Sequence, residues 1–285
     1  MVSLPECSVA SLEAHESLIG TATDSIDRWI LLEVTDPWAP DALDTEALPE
    51  IVRARLSEWL KTPRSRLQLI RRPGRVGKRR RLMVISSDGE EQGASQLELD
   101  RYEDLLDVDP GSLDGEAAAP LWLVCVHGRR DRCCALHGGA VFRAMQSHGL
   151  EVWQTSHLGG HRFAACVLSL PEGLMYGRLR PEHVPGLVTA HEAGKLGDLS
   201  LFRGRCAYDK ATQAAEIFLR TRLGADGIGA LEWLGTSREG DSSWQTRFRT
   251  EGREHAVRVK REQTGAIRPP SCGADPEPVT ELVET

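Results

Sequence analysis

The sequence lacks the long apolar run that a membrane-spanning helix requires. No stretch among its 285 residues comes near the roughly 18 consecutive apolar residues of such a helix. The first residues, MVSLPECSVASLEAHESL, also lack the basic leader and apolar core of a signal peptide. We therefore expect a cytoplasmic protein without a membrane partner.

The cysteines lack the arrangements that disulfide scaffolds and thioredoxin-type enzymes use. Seven cysteines, an odd number, are spread along the chain, and Cys133 and Cys134 are adjacent, so no C-x-x-C motif forms. In a reducing compartment, such thiols are typical of buried, metal-bound or catalytic positions. We assign a structural role or none to four cysteines that belong to no motif: Cys7, Cys166, Cys206 and Cys272.

The sequence has fewer basic than acidic residues, and its one basic stretch has no interleaved aromatic residues. The net charge of −7 argues against general nucleic-acid binding. Residues 64–81 nevertheless contain nine basic residues and no acidic one. Without aromatics they do not resemble a single-strand nucleic-acid site. We interpret them as a solvated hairpin turn, or as a docking surface for an acidic redox partner formed by Arg75, Lys78, Arg79, Arg80 and Arg81.

The order of predicted elements indicates two α/β lobes. Residues 1–108 give the order β-α-β-β-α, with the last helix near 97–106. Residues 109–120 have little to bury, and we predict a linker there. Residues 121–206 give the order β-α-β-loop-β-β-α, which is the thioredoxin-like plan. The string WILLEV forms the first predicted strand of the first lobe, as LWLVCV does in the second lobe. We therefore interpret the first lobe as a degenerate structural repeat of the second.

The remaining residues predict a small unit and a loose end. Residues 207–270 contain one amphipathic helix and a hairpin around Glu251 and Gly252, so we predict a small α+β domain. Residues 271–285 are rich in proline and glutamate, and we predict a flexible tail.

Two thiols and two imidazoles fall in loops of the second lobe. Cys125 lies at the end of a strand, Cys134 begins a helix, and His157 and His161 belong to the string HLGGH. Thiolate and imidazole suit iron–sulfur clusters, zinc or copper, and not magnesium or calcium. A zinc finger of the Cys2His2 type has its cysteines two to four residues apart, whereas eight residues separate Cys125 from Cys134. A loop of that length can hold a larger group than a single ion.

Three further residues are candidates for contact with a cofactor. Two glycines disfavour a helix in HLGGH, so we expect Gly159 and Gly160 to let backbone N–H groups approach a cofactor closely. Arg130 lies between the two cysteines, and we expect it to balance the charge of the site or to dock a partner. The alternative is that an Arg–Asp pair only holds the loop.

The strings VCVHGRRDRCC, EVWQTSHLGGHRFAACVLSLPEGLMYGRL and RGRCAY resemble the sucrase/ferredoxin-like family of thioredoxin-like 2Fe-2S proteins. The resemblance covers most of the chain and is most specific at 121–180. It implies a 2Fe-2S cluster with Cys125 and Cys134 on one iron and His157 and His161 on the other. Replacing two thiolates by neutral imidazoles raises the potential of such a cluster and couples it to protons.

The resemblance also implies the fold class and the activity. The expected fold is α/β, a thioredoxin-like ferredoxin domain preceded by a degenerate thioredoxin-like lobe and followed by a small α+β segment. The sequence has no paired-carboxylate signature of a glycosidase, so we expect a non-catalytic electron carrier rather than an enzyme. A cluster-based redox sensor and a mononuclear zinc protein stay open as alternatives. Spacing alone also leaves Cys133 open as a ligand, although Cys134 keeps the eight-residue gap.

Overall fold

The computed structural model describes residues 6–74, 79–87, 93–111, 113 and 115–285. The α-helices in these ranges are α1 (Cys7–Glu13), α2 (Glu50–Trp59), α3 (Arg132–Ser147), α4 (Val184–Glu192) and α5 (Lys210–Leu223). The strands are β1 (Arg28–Glu33), β2 (Ser65–Arg71), β3 (Arg80–Ser86), β4 (Gly93–Leu99), β5 (Glu116–Ala117), β6 (Leu121–Cys125), β7 (Val152–Thr155), β8 (Val167–Leu170), β9 (Leu174–Tyr176), β10 (Phe202–Arg205), β11 (Glu232–Arg238), β12 (Ser243–Thr250), β13 (Arg253–Arg268) and β14 (Glu277–Glu284). Within the same ranges, a helix with the length and apolarity for a bilayer crossing is absent.

Ten strands form a mixed sheet whose two halves repeat one pattern. The strand order is β10-β9-β8-β6-β7-β2-β1-β3-β4-β5. In the first half, β1 runs parallel to β2 and antiparallel to β3, which pairs with β4. In the second half, β6 runs parallel to β7 and antiparallel to β8, which pairs with β9. The halves meet where β2 and β7 pair antiparallel. This arrangement confirms the prediction that the first lobe is a copy of the thioredoxin-like second lobe.

Burial on both faces explains the unbroken apolar sequence of β6. All five of its side chains are buried. Leu121, Leu123 and Cys125 pack into a core that also contains side chains of β1 and β3, whereas Trp122 and Val124 pack on the opposite face with α3 and α4. Successive side chains of a strand point to opposite faces. A strand that is covered on both faces has no solvent-exposed positions. Its sequence therefore does not alternate between apolar and polar residues.

The helix predicted at 97–106 is wrong. Strand β4 continues to Leu99, and Leu97 pairs with Leu82 of β3. Only Tyr102–Asp107 is helical, as a short 3-10 segment. The apolar residues of this stretch satisfy a helical period, but pairing with the neighbouring strand overrides that local preference.

Two segments that were predicted to be irregular form strands. The linker at 109–120 contains β5, which pairs with β4. The tail predicted at 271–285 contains β14, which pairs with β13 in the four-stranded sheet β11-β12-β13-β14. Val279 and Leu282 of β14 are buried, and Leu282 packs with the alanines of α5. Glutamates and a proline occupy most of the other positions of β14, and this composition concealed the strand. The α+β character of the C-terminal segment is confirmed.

We predict that Gly138 sets the distance between α3 and β6. A Cβ atom at this position would meet the carbonyl oxygen of Cys125. Gly138→Ala is therefore expected to push α3 away from β6 and to lower the free energy of unfolding by about 1–3 kcal/mol. Urea unfolding measures this loss.

The matched control is Gly139→Ala in the same helix. Outside the helix backbone, the nearest atom to a Cβ there is a guanidinium nitrogen of Arg143 at 3.6 Å. Alanine is favoured over glycine within a helix by roughly 0.5–1 kcal/mol, so this variant should be as stable as the parent or more so. Equal stability of the two variants would contradict the tight packing of α3 on β6.

Candidate metal centre

The site lies at the edge of the sheet where the parallel strands β6 and β7 both end. Cys125 is the last residue of β6, and the chain leaves β7 shortly before His157. Cys134 lies on the first turn of α3. Parallel neighbours present their carboxyl ends at the same edge of a sheet, where ligands commonly bind. The fold therefore brings these residues together although they are far apart in the sequence.

Three of the four predicted ligands form one compact group. The ligand atoms of Cys125, Cys134 and His157 all lie within 4.8 Å of one another. Sγ of Cys134 is 3.8 Å from Nδ1 of His157. Both cysteines are only 1% exposed, whereas His157 is partly exposed. Two sulfurs and an imidazole nitrogen at these distances are a donor set for a soft metal.

The two thiols of this group shift each other's pKa in opposite directions. The thiol of Cys134 hydrogen-bonds to Cys125 and holds the pKa of Cys125 well below its usual range, although burial acts in the opposite direction. The same contact raises the pKa of Cys134. A metal that bound both sulfurs would take the place of their protons.

His161 lies beside the group with one ring nitrogen unpaired. Its ring centroid is 5.0 Å from that of His157. Nε2 lies 2.8 Å from the carbonyl oxygen of Pro270, and because a carbonyl only accepts, Nε2 carries the proton. Nδ1 is buried and has no hydrogen-bond partner among the described residues. Burial also lowers the pKa of His161, which favours the neutral ring. A free, buried imidazole nitrogen on a ring next to that of His157 fits a metal group with mixed sulfur and nitrogen ligands.

The glycines of the loop are required by its backbone. Gly159 and Gly160 have backbone φ values of 101° and 69°. Residues other than glycine rarely adopt such values. A Cβ on Gly159 would lie 2.7 Å from Oγ1 of Thr23, and one on Gly160 would meet the guanidinium of Arg203. The structure thus accounts for both glycines through the shape of the loop. Their contact with a cofactor stays a prediction.

The structure separates the adjacent cysteines Cys133 and Cys134. Sγ of Cys133 belongs to a different group of donor atoms and accepts a hydrogen bond from Oγ of Ser8 at 3.3 Å. Successive residues of a helix point about 100° apart, so the two thiols cannot face the same neighbours. Cys134 is the one that lies with Cys125 and His157.

His127 and Asp131 hold the loop between Cys125 and Cys134. Nδ1 of His127 accepts the backbone N–H of His157 at 3.2 Å. Asp131 caps α3 by accepting a backbone N–H of its first turn at 2.9 Å. Arg130 is exposed and borders a cleft of about 360 Å³ that His157 also lines. Its expected role in charge balance or docking stays a prediction.

The predicted docking surface is described only in part. Arg75 and Lys78 lie outside the described residues. Arg79 forms an ion pair with Asp100 at 2.8 Å, and the two arginines that follow it begin β3. Docking of an acidic partner on this surface stays a proposal.

Two arginines that no sequence motif predicts hold the histidine loop from outside. The side chain of Arg203 is 1% exposed and donates to the carbonyl of Gly159 at 3.0 Å and to Sγ of Cys166 at 3.3 Å. Arg66 donates to the carbonyl of His157 at 2.9 Å. These arginines bind mainly backbone carbonyls, and no spacing in the sequence reveals where such oxygens lie.

Comparisons with known proteins agree with the resemblance of the motifs. The sequence model of the sucrase/ferredoxin-like family matches residues 18–204. Among solved structures, the wild-type thioredoxin-like 2Fe-2S ferredoxin from Aquifex aeolicus is 22% identical, with 30% of this chain and 97% of that chain covered and a TM-score of 0.27. Another structure of that ferredoxin is 21% identical, covers 29% and 88% of the two chains, and has a TM-score of 0.26. With TM-scores this low, the likeness supports no inference about a cofactor. No curated protein matches the chain.

We predict that Arg203 stabilises the histidine loop. Arg203→Lys keeps the charge but loses the fork of donors that reaches Gly159 and Cys166, so buried acceptors lose their partners. This change should lower the free energy of unfolding by about 1–3 kcal/mol. It should also speed amide hydrogen exchange at residues 158–162, measured by mass spectrometry. Arg205→Lys is the control, because Arg205 is a partly buried arginine of the same strand that pairs with Glu216. A control that opened the loop as much as Arg203→Lys would contradict the assignment.

Proposed function

Because the chain belongs to the sucrase/ferredoxin-like family, we propose that it is an electron carrier with a 2Fe-2S cluster on Cys125, Cys134, His157 and His161. The observation that carries the proposal is the buried, unpaired Nδ1 of His161 next to the Cys125–Cys134–His157 group. It supplies the fourth donor that the compact group lacks.

The donor set supports this cofactor over harder metals. Sulfur and imidazole ligands suit iron–sulfur clusters and zinc. When bound, a 2Fe-2S cluster accepts and returns single electrons, and imidazole ligands raise its potential above that of an all-cysteine cluster. Nδ1 is the nitrogen of His161 that is free and the one of His157 that faces Cys134. The two outer nitrogens are therefore left for protons.

The protein's own residues can couple a proton to the electron. Nε2 of His161 holds its proton against the carbonyl of Pro270, and the side chain is 15% exposed. His157 lines a cleft that opens to solvent. Both imidazoles can therefore exchange protons with water, whereas the sulfurs of Cys125 and Cys134 are buried. We infer that a redox partner approaches the site through the cleft that His157 lines. Arg130 lies on the rim of the same cleft.

We predict that the purified protein is red-brown and contains about two iron and two acid-labile sulfide per chain. The electron paramagnetic resonance spectrum of the reduced protein should have the low average g-value of imidazole-ligated iron. His157→Cys and His161→Cys should each keep iron but shift this spectrum towards that of an all-cysteine cluster. The matched control is His148→Cys, which makes the same change at an exposed position at the end of α3.

Three outcomes would contradict this proposal. Colourless protein with stoichiometric zinc that is lost in Cys134→Ser would select a mononuclear zinc site. Histidine variants with the spectrum of the parent would show that the imidazoles do not touch iron. If instead the oxidation state changed affinity for a partner while turnover with a flavin reductase stayed slow, the protein would be a sensor and not a carrier.

We predict that the reduction potential falls as pH rises from neutral to alkaline. Loss of the proton from Nε2 of His161 leaves an additional negative charge beside the metal group, which disfavours gain of an electron. One proton per electron corresponds to a slope approaching about 59 mV per pH unit. Redox titrations between about pH 6 and 10 measure it. His161→Cys should flatten the slope, and a parent protein with a pH-independent potential would contradict the coupling.

A further inference from the structure

Three cysteines without an assigned role converge on Asp131. Sγ of Cys133 lies 3.6 Å from Sγ of Cys7 and 3.4 Å from Sγ of Cys272, and the sulfurs of Cys7 and Cys272 are 3.6 Å apart. The carboxylate oxygen Oδ1 of Asp131 lies 3.7 Å from the sulfur of Cys7 and 3.3 Å from that of Cys272. The four donors are all within 4.8 Å of one another. They come from α1, the cap and first turn of α3, and the segment after β13.

The spacing of these atoms matches the edges of a small tetrahedron. Zinc bonds of about 2.3 Å to sulfur and about 2.0 Å to oxygen place tetrahedral donors roughly 3.5–3.8 Å apart. The five distances given above run from 3.3 to 3.7 Å. Three sulfurs exclude magnesium and calcium, which take oxygen ligands.

Three of the four side chains of this group are buried, and that of Cys272 is partly exposed. Cys7 and Cys133 are 0% exposed, and Asp131 is 4% exposed. The backbone N–H groups of Cys133 and Cys272 each donate to the Asp131 carboxylate at 2.9 Å, which fixes its orientation. Structural zinc sites have four protein ligands and outer contacts that orient them in this way.

We propose that Cys7, Asp131, Cys133 and Cys272 bind one zinc ion, at a site separate from the Cys125–Cys134–His157–His161 group. The ion closes the fold by joining the start of α1, the first turn of α3 and the segment that follows β13. Binding releases the protons of the thiols and replaces them with bonds to the metal. The zinc site does not depend on the proposed function.

One consequence does rest on the proposed function. Pro270, whose carbonyl receives the Nε2 proton of His161, lies two residues before Cys272, and Oδ2 of Asp131 is 3.8 Å from the same Nε2. The zinc site therefore positions both groups that face the outer nitrogen of His161. Loss of zinc is expected to loosen both of these contacts of His161 while the iron stays bound.

The experiment measures zinc, iron and sulfide together on the full chain. The protein is purified under reducing, oxygen-free conditions, exposed to a slight excess of zinc, and desalted before elemental analysis. The parent should contain one zinc per chain at this site. Cys272→Ser should lower bound zinc at least about tenfold with iron and sulfide unchanged, whereas Cys134→Ser should lower iron and keep this zinc. Cys206→Ser, which removes a buried thiol outside both groups, should change neither metal.

A second variant and a second measurement cover the case in which Cys272→Ser does not fold. Cys272→His keeps a donor atom and should retain zinc. In the parent, alkylation under native conditions followed by mass spectrometry should show Cys7, Cys133 and Cys272 protected together by zinc and exposed together after chelation.

Three results would overturn the zinc site: no zinc in the loaded parent, zinc that survives Cys272→Ser, or a disulfide between two of the three cysteines in reduced protein. These results are distinct from failure of the proposed function. If iron is absent while zinc is lost only in Cys272→Ser and not in Cys134→Ser, the cluster proposal fails and the zinc site stands. If iron and sulfide are present without zinc, the reverse holds.

Discussion

The carboxylate of Asp131 is the contact on which both groups of donor atoms depend. It caps α3, so it sets where the first turn of that helix begins and therefore where Cys134 lies. Burial alone would raise its pKa, but the backbone N–H groups of Cys272 and Cys133 bring the pKa below its usual range. The side chain therefore stays charged inside the protein. A charge held in this way attracts the Nε2 edge of His161 on one side and the thiols of Cys7 and Cys272 on the other.

The first lobe, which has none of the four proposed cluster ligands, nevertheless supports the lobe that has them. Arg66 and Gln68 of β2 both donate to the carbonyl of His157, at 2.9 and 3.4 Å. Trp38, in the loop after β1, places its ring 5.7 Å from that of His127. The site therefore lies at the seam between the two halves of the sheet. Strand β2 of the first lobe thus forms a wall behind His157 of the second lobe.

The parts of the molecule that depend on local pattern were predictable. The apolar runs of β1 and β6 identify the centres of the two lobes, and their similarity predicted the repeat that the sheet order confirms. The strands β4 and β14 were missed because their stability comes from pairing with β3 and β13, which no local period reveals. The first donor group follows a recognisable spacing. The second joins Cys7 to Cys272 across 265 positions, and its members have no common motif. One signal was available, since adjacent residues of a helix cannot point the same way and Cys133 therefore needed surroundings of its own.

The two lobes have the same strand order and meet where β2 and β7 pair antiparallel. This arrangement resembles a dimer in which a two-fold axis relates the two subunits. In a true dimer, the wall that β2 forms behind His157 would exist only while two molecules stayed associated, and it would be lost on dilution. Here both units belong to one polypeptide, and the partner surface is always present at the high effective concentration of a covalent link. The site is therefore complete in every single molecule, at any abundance of the protein in the cell.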